Sequence, residues 1–462
     1  MPGEGYLSIK KHYTVFKHQL RWTVIIVPVA VVIGSMVAFF LSLLSWAIHF
    51  RFAHPWLLYL LPVAGTAIYF SYQLYGKNSE KGNNLIIDEI HEPGGGVPKR
   101  MTPLVLLTTV ITHLFGGSAG REGTAVQMGG SIAQFFGLWF KLNAVDTGII
   151  LTAGIAAGFG AVFGTPLAGA IFAIEVLTQG RIQYAALIPC LVAGIVADIT
   201  VSAWGIHHTA YHIGVVPAGS ALFTPYMHID VLLLIKVVIA SVAFGLASML
   251  FAETVHGVKN IFNKYIFPKW AIPALGGLII IALTFIIGKP DYLSLGVDAE
   301  YSGAVTIPSA FNAGGADTWS WLWKTVYTTI TLGSGFKGGE VTPLFFIGST
   351  LGNTLSSLLN APVSLFAALG FIAVFAGATN TPLASTFMGI ELFGSEYALF
   401  FAVACFTAYF FSGDSGIYSS QRIAVPKIFD DASSIESIAE AEQKRQNYMR
   451  RRIARYKIAK KK

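Results

Sequence analysis

Charged side chains are what this chain has least of: Asp, Glu, Lys and Arg make up only 12% of its 462 residues, against 54% hydrophobic residues and a mean hydropathy of +0.62. A soluble domain of this length needs a far more polar surface, so the composition excludes one and puts the chain in lipid. Cysteine is nearly absent as well. Cys190 and Cys405 both lie in apolar runs, which excludes a disulfide framework or a spaced thiolate motif and leaves two inert packing residues. Ten-residue alternation of apolar and polar residues is missing, which excludes a membrane barrel and leaves helices. The apolar body carries no HExxH, GxSxG or paired catalytic Asp, so an intramembrane hydrolase has no motif to stand on. No cofactor, metal site or nucleic-acid contact is expected, and no cleavable signal peptide is evident, because the first apolar run is too long for one.

What the chain does have are long apolar runs. Thr23 to Phe50, Pro55 to Tyr75, Ile182 to Trp204, Val231 to Phe251 and Trp270 to Gly288 are each long enough to cross about 30 Å of hydrocarbon. Its 48 glycines let helices approach closely and permit breaks within them. The net charge of +7 sits mainly in the tail, where eleven Lys or Arg from Lys427 onward face five Asp or Glu, a balance of +6. With Lys10, Lys11, Lys17 and Arg21 ahead of the first run, this places both termini in the cytoplasm and requires an even number of crossings. The expected division is a cytoplasmic segment 1–22, a first transmembrane repeat 23–206, a linker 207–228, a second repeat 229–425 and a basic tail 426–462. His207, His208, His212 and His228 fall in the linker at spacings that match no ligand set, so an ordinary polar external loop is expected there. The tail, with Arg450, Arg451 and Arg452, reads as a solvated cytoplasmic helix. No large regulatory domain follows Val425, so nucleotide regulation is not expected.

The two halves repeat each other. Thr165-Pro166-Leu167-Ala168 with Glu175 recurs as Thr381-Pro382-Leu383-Ala384 with Glu391, an offset of 216 residues, and at the same offset Gly117-Ser118 falls on Gly333-Ser334. Two motifs in one register point to a transporter built from two repeats, with the ion site at their interface. An odd number of spans between the copies makes the halves inverted.

The stretch Gly116 to Thr124 lies between apolar runs and reads as a helix N-terminus at membrane depth. Unpaired N–H groups and the positive end of the helix dipole then face whatever lies ahead, which suits an anion. Gly333 to Thr342 repeats the arrangement, and Gly82-Asn83-Asn84-Leu85-Ile86 supplies a third glycine-led start. Glu122 is the leading candidate, since a carboxylate inside a membrane is costly. At such a terminus it can occupy the anion site itself and leave on protonation, coupling proton and anion movement; the competing reading has it stabilise its own helix or pair with Arg121. Glu340, in the matching motif, is the second candidate proton carrier, against a plain capping role. Asn83, Thr342 and Tyr418 offer neutral hydrogen bonds, although a Tyr near an interface also suits an aromatic belt. The matched positions of Glu175 and Glu391 favour a structural role, capping broken backbone or packing a dimer.

These residues carry a resemblance to the CLC family of chloride channels and anion/proton antiporters, over roughly Thr23 to Val425. GREGTAVQMGG resembles the family's gating motif, usually GREGP, with Glu122 at the gating glutamate. GGEVTP at Gly338 to Pro343 is similar to its GGxFxP segment, and Tyr418 falls at the anion-coordinating tyrosine. The resemblance implies an all-α membrane fold of two inverted repeats with broken helices, a homodimer with one anion pathway per subunit, and an anion site drawing on Gly82, Asn83, Arg121, Gly123, Val341, Thr342 and Tyr418. The departures are specific. Asn83 stands at the usual serine of a GSGIP loop, Thr124 replaces a proline, Glu340 and Thr342 replace apolar residues, and Val176 stands where chloride/proton antiporters carry an internal glutamate. Together they resemble the fluoride/proton antiporter subgroup, and imply fluoride export against inward protons across a bacterial inner membrane. A chloride channel or chloride/proton antiporter of the same fold is the alternative. The amide of Asn83 donates two N–H groups where a serine offers one hydroxyl, which suits a small, strongly hydrated ion. Phe345 and Phe346 are expected only to pack.

Overall fold

The computed structural model describes residues 3–214 and 230–427, with Glu436, Ser437 and Gln443 beyond them. His228 and the Arg450 to Arg452 run lie outside these residues. The first half folds into helices Gly3–Ala53 (α1), Leu61–Ser71 (α2), Asn83–His91 (α3), Met101–Leu114 (α4), Glu122–Trp139 (α5), Ala144–Phe163 (α6), Pro166–Glu175 (α7) and Leu187–Ala203 (α8). The second half adds Val231–Tyr265 (α9), Ala271–Ile287 (α10), Ser320–Gly333 (α11), Val341–Leu359 (α12), Val363–Thr379 (α13), Pro382–Phe393 (α14) and Ala398–Phe411 (α15). Among the described residues, five helical stretches, including α1, α6 and α9, are long and apolar enough to cross a membrane. Several others are shorter apolar pieces, as the glycine content suggested. With α1 and the helical stretch 55–81 taken as successive crossings, the end of that stretch marks the face where α1 begins, and the described residues 204–214 after α8 are taken as the opposite face.

Helix ends are set by local chemistry. The Asn143 side chain accepts from Asp146 N at the start of α6, and Asp230 does so from Leu233 N at the start of α9, each satisfying an amide the helix leaves unpaired. The repeated Thr-Pro-Leu-Ala motif yields the same backbone twice. Gly164 and Asn380 close α6 and α13 in the left-handed region. Thr165 and Thr381 follow in nearly identical non-helical conformations, φ -128°, ψ 71° and φ -127°, ψ 66°, and Pro166 and Pro382 open α7 and α14, the position where a missing N–H costs nothing.

The two copies then cap each other. The carboxylate of Glu391 accepts from Leu167 N at 2.9 Å and Ala168 N at 2.7 Å, while Glu175 accepts from Leu383 N at 3.0 Å and Ala384 N at 2.7 Å. Each glutamate therefore satisfies the first turn of the other half's broken helix, which is the capping role anticipated for the pair and gives the inverted repeat its pseudo-two-fold relation. Removing one carboxylate leaves two buried amides unpaired. Glu175→Ala is expected to cost about 2–4 kcal/mol, visible as a lowered unfolding midpoint in detergent. A loss under about 1 kcal/mol would mean that water replaces the carboxylate at those amides.

Glycine sets the tightest crossings, again in pairs. A side chain at Gly129 of α5 would overlap the carbonyl of Gly154 on α6, and Gly348 of α12 stands in the same relation to Gly370 on α13. Cys190 and Cys405 are both buried and free. On the starting face, Thr178–Gln179 pairs in parallel with Arg422–Ile423, and the latter pairs antiparallel with Glu436–Ser437.

Candidate functional site

Three helix starts meet where the chain breaks. Between α4 and α5, and between α11 and α12, the backbone crosses the interior without helical pairing. The two breaks are stitched together by Gly120 and Gly339, whose N–H groups each donate to the other's carbonyl at 2.6 and 2.7 Å. A third start, α3, approaches from Gly82, whose φ of +58° is a conformation that favours glycine. The amide of Gly82 donates to Ser79 O at 3.2 Å, so this glycine supplies the turn rather than a free donor. Nor is Glu340 a side-chain cap: it is the N-cap residue of α12 without a capping bond from its carboxylate.

Glu122 is fully buried at the start of α5. One carboxylate oxygen accepts from Arg121 N at 3.1 Å and from Thr342 N at 3.0 Å, and the other accepts the Thr342 hydroxyl. Thr342 is the second residue of α12, so the carboxylate of one half sits on the unpaired N-terminus of the other. That is the place an anion would take. The Arg121 Nε lies 4.0 Å from the same carboxylate and is itself buried without a hydrogen-bond partner. Thr124, at the position of the family's proline, exchanges a 2.7 Å hydrogen bond with the Thr109 hydroxyl on α4.

Two cavities flank this gate. On the starting face, a cavity of about 150 Å³ is lined by Gly82, Asn83, Gln127, Lys337, Glu340 and Tyr418 among others. The Asn83 carbonyl oxygen is buried there with no hydrogen-bond partner, and its amide nitrogen lies beside Gly123. Asn84 instead accepts from Ser420 N at 3.0 Å, fixing the loop that carries Tyr418. The structure thus brings Asn83, Gly123, Glu340 and Tyr418 to one side, with Val341 and Thr342 at the α12 start between that side and Glu122. Arg121 is separated from them. It lines a much smaller cavity on the opposite face with Phe163, His208, Tyr211, Thr342 and Phe345.

Sequence reasoning missed three features. Gln127 lines the larger cavity and lies one helical turn beyond Gly123, a spacing that could have revealed it. His208 and Tyr211, read as part of an ordinary loop, instead fold over the small cavity. His208 packs against Gly164, 3.7 Å from the carboxylate of Asp198, and Tyr211 stacks on Phe311 at 5.5 Å. His113, also buried, bonds the Ser294 hydroxyl at 3.0 Å; Lys324, fully buried, donates to Ser294 O at 2.8 Å and Tyr292 O at 3.2 Å. Phe345 stacks on Phe371 at 3.8 Å and Phe346 packs edge-on to Tyr292, the packing role expected of both. Val176 is buried and its carbonyl accepts from Gln421 Nε2 at 2.9 Å, so no titratable group occupies that position.

The model of the voltage-gated chloride channel family matches residues 64–413. A chloride/fluoride channel protein of Pseudomonas syringae pv. tomato is 48% identical over 409 residues, covering 88% of this chain and 87% of the relative. A putative chloride channel protein ClcB-like of Ralstonia nicotianae is 27% identical, covering 81% and 87%. Among solved structures, a CLC-type fluoride/proton antiporter superposes with a TM-score of 0.79 at 34% identity, over 87% of this chain and 98% of that one. A slow cyanobacterial Cl-/H+ antiporter superposes with a TM-score of 0.70 at 21% identity, over 85% and 94%, a likeness of fold.

Proposed function

This chain belongs to the voltage-gated chloride channel family, and from that premise we propose that it is a secondary active transporter exporting fluoride in exchange for inward protons. The observation that carries the reading is the Glu122 carboxylate held by the Thr342 amide and hydroxyl, a charged side chain standing where a permeating anion would bind. Both named likenesses bear on the ion: the relative from Pseudomonas syringae is called a chloride/fluoride channel protein, and the solved structure is a fluoride/proton antiporter.

The mechanism follows from the geometry. Charged Glu122 fills the α12 terminus and closes the path. A proton reaching it from the opposite face removes the charge that the helix start attracts, and the neutral acid gives up its place. Fluoride from the starting face then enters past Asn83, Gly123 and Tyr418, whose neutral donors replace part of its hydration without binding it too tightly for release. Arg121, Val341 and Thr342 supply charge and donors at the gate. Glu340, in the cavity on the starting face, takes the proton inward; with Val176 offering no carboxyl, protons and anions share one route. Fluoride needs such export because its conjugate acid crosses bilayers uncharged and dissociates in the more alkaline compartment.

The remaining features are part of the same proposal. The two transmembrane repeats span 23–206 and 229–425, both termini face the cytoplasm of a bacterial inner membrane, and the working unit is a homodimer with one pathway per chain. Lys17 and Arg21, ahead of the apolar part of α1, support that orientation.

The test is anion efflux from liposomes containing the purified protein, with fluoride or chloride as the sole test ion and with or without a proton gradient. Fluoride efflux is expected to exceed chloride efflux by about tenfold or more, as different dehydration at a tight site would give, and an imposed proton gradient is expected to drive fluoride uphill. Equal chloride flux would defeat the selectivity assigned to Asn83 and GGEVTP. Flux indifferent to protons would make the protein a channel.

A further inference from the structure

The cavity beside Asn83 and Glu340 is not a closed chamber. A second, wider cavity of about 370 Å³ on the same face shares Tyr72, Glu80, Lys259, Phe336 and Lys337 with it, so the two form one funnel leading to the gate. Its charge is lopsided: Lys81, Lys259, Lys269 and Lys337 line it against Glu80 and Glu340. Lys81 has Asp88 at 3.6 Å and Lys269 donates to the carbonyl of Asn263. Lys259 and Lys337 take part in no ion pair among the described residues. The ammonium of Lys337 rests 4.2 Å from the centroid of the Tyr72 ring, at the neck where the two cavities join and three residues ahead of Glu340.

A cation at membrane depth without a carboxylate partner is expensive to keep, and an aromatic face repays only part of that. What would complete it is an anion arriving from the water of the funnel. We propose that Lys259 and Lys337 form an anion-capture station at the neck, where a small inorganic anion halts before moving on to Asn83 and Tyr418. Lys259, exposed at the mouth, raises the local anion concentration by the focusing that a charged cleft exerts. Lys337 then holds the ion beside Glu340, so that the arriving negative charge and the departing proton meet in one space. This rests on the antiporter reading for the identity of the ion, but not for its charge.

The arrangement predicts where the lysines act. They should govern how readily an anion enters and leave the later passage at the gate largely alone. Titrating fluoride inside liposomes, Lys259→Gln and Lys337→Gln are each expected to raise the apparent KM about threefold to tenfold while lowering the maximal rate far less. The steep fall of wild-type efflux with ionic strength should flatten in both variants, because screening has less left to remove. Lys337→Arg, which keeps the charge and the stacking on Tyr72, should restore the KM. An unchanged KM in both glutamine variants would overturn the proposal. So would a collapsed maximal rate at constant KM that arginine does not rescue, since that is the signature of a packing role for Lys337. If the wild type moves chloride and not fluoride, the fluoride reading fails, and the same KM comparison with chloride still decides the capture station.

Discussion

Glu122→Gln is expected to abolish proton-driven uphill fluoride movement while fluoride still runs downhill. The carboxylate receives three donors, two of them at a single oxygen. A glutamine keeps the length and one acceptor oxygen but must turn an NH₂ group toward donors, and it carries neither the charge that fills the α12 terminus nor a proton to exchange. The gate therefore loses its self-occupancy and its coupling together. Proton flux accompanying fluoride is expected to fall by about 100-fold or more, the range over which a positioned acid or base contributes. The measurement is paired fluoride and pH recording from the same liposomes. Protons that still move with fluoride in the variant would remove Glu122 from the coupling mechanism and leave it as a capping residue of α5, the competing reading of its position.

Why was so much of this arrangement open to reading in advance? The offset of 216 residues is legible because it repeats residues whose backbone chemistry is local. A left-handed residue, a non-helical threonine and a proline at the first helical position produce the same turn wherever they occur, and here they do so at Gly164 to Pro166 and at Asn380 to Pro382. The glycine-led starts at Gly82, Gly120 and Gly338 are legible for the same reason. The exchange of caps was legible only by half. Matched glutamates suggest capping, but the donors of Leu167 and Ala168 belong to a helix 223 or more residues from Glu391 in sequence, and nothing local marks that meeting. Arg121 joins Asn83 in the expected anion site only through the family resemblance. The fold separates the two: Arg121, the N-cap of α5, lines the small cavity, whereas Asn83, at the start of α3, lines the larger one. The spacing of the linker histidines matches no metal-ligand set, but spacing says nothing of a loop folding over a cavity. Nothing local marks Lys337 inside GSGFKGGEVTP; its proposed role depends on Lys259 of α9 and Tyr72 after α2, which only the fold brings near.

Gly339→Ala is expected to cut fluoride flux about 100-fold, coupled or not, and so to separate the path from the gate. A methyl group at this position would lie 2.7 Å from Gly123 N, 3.1 Å from one carboxylate oxygen of Glu122 and 3.2 Å from Glu122 N. It would therefore cover the first amides of α5, which no helical carbonyl satisfies. The residue cannot easily retreat, because its N–H and C=O are both bonded to Gly120 across the repeat interface. Loss of about two charge-assisted donors, or about 3 kcal/mol, corresponds to roughly 100-fold in rate. The decisive comparison is with Glu122→Gln: the single variant lets fluoride run downhill, and in the double variant with Gly339→Ala that flux should fall about 100-fold. Gly257→Ala, at a half-buried position in the C-terminal part of α9 where an added methyl meets nothing within 4 Å, is the matched control and should transport as the wild type does. A Gly339→Ala protein that elutes as a single folded species and still passes fluoride at the wild-type rate would show that the anion does not travel past the start of α5. The Glu122 carboxylate would then be closing a door that the ion does not use.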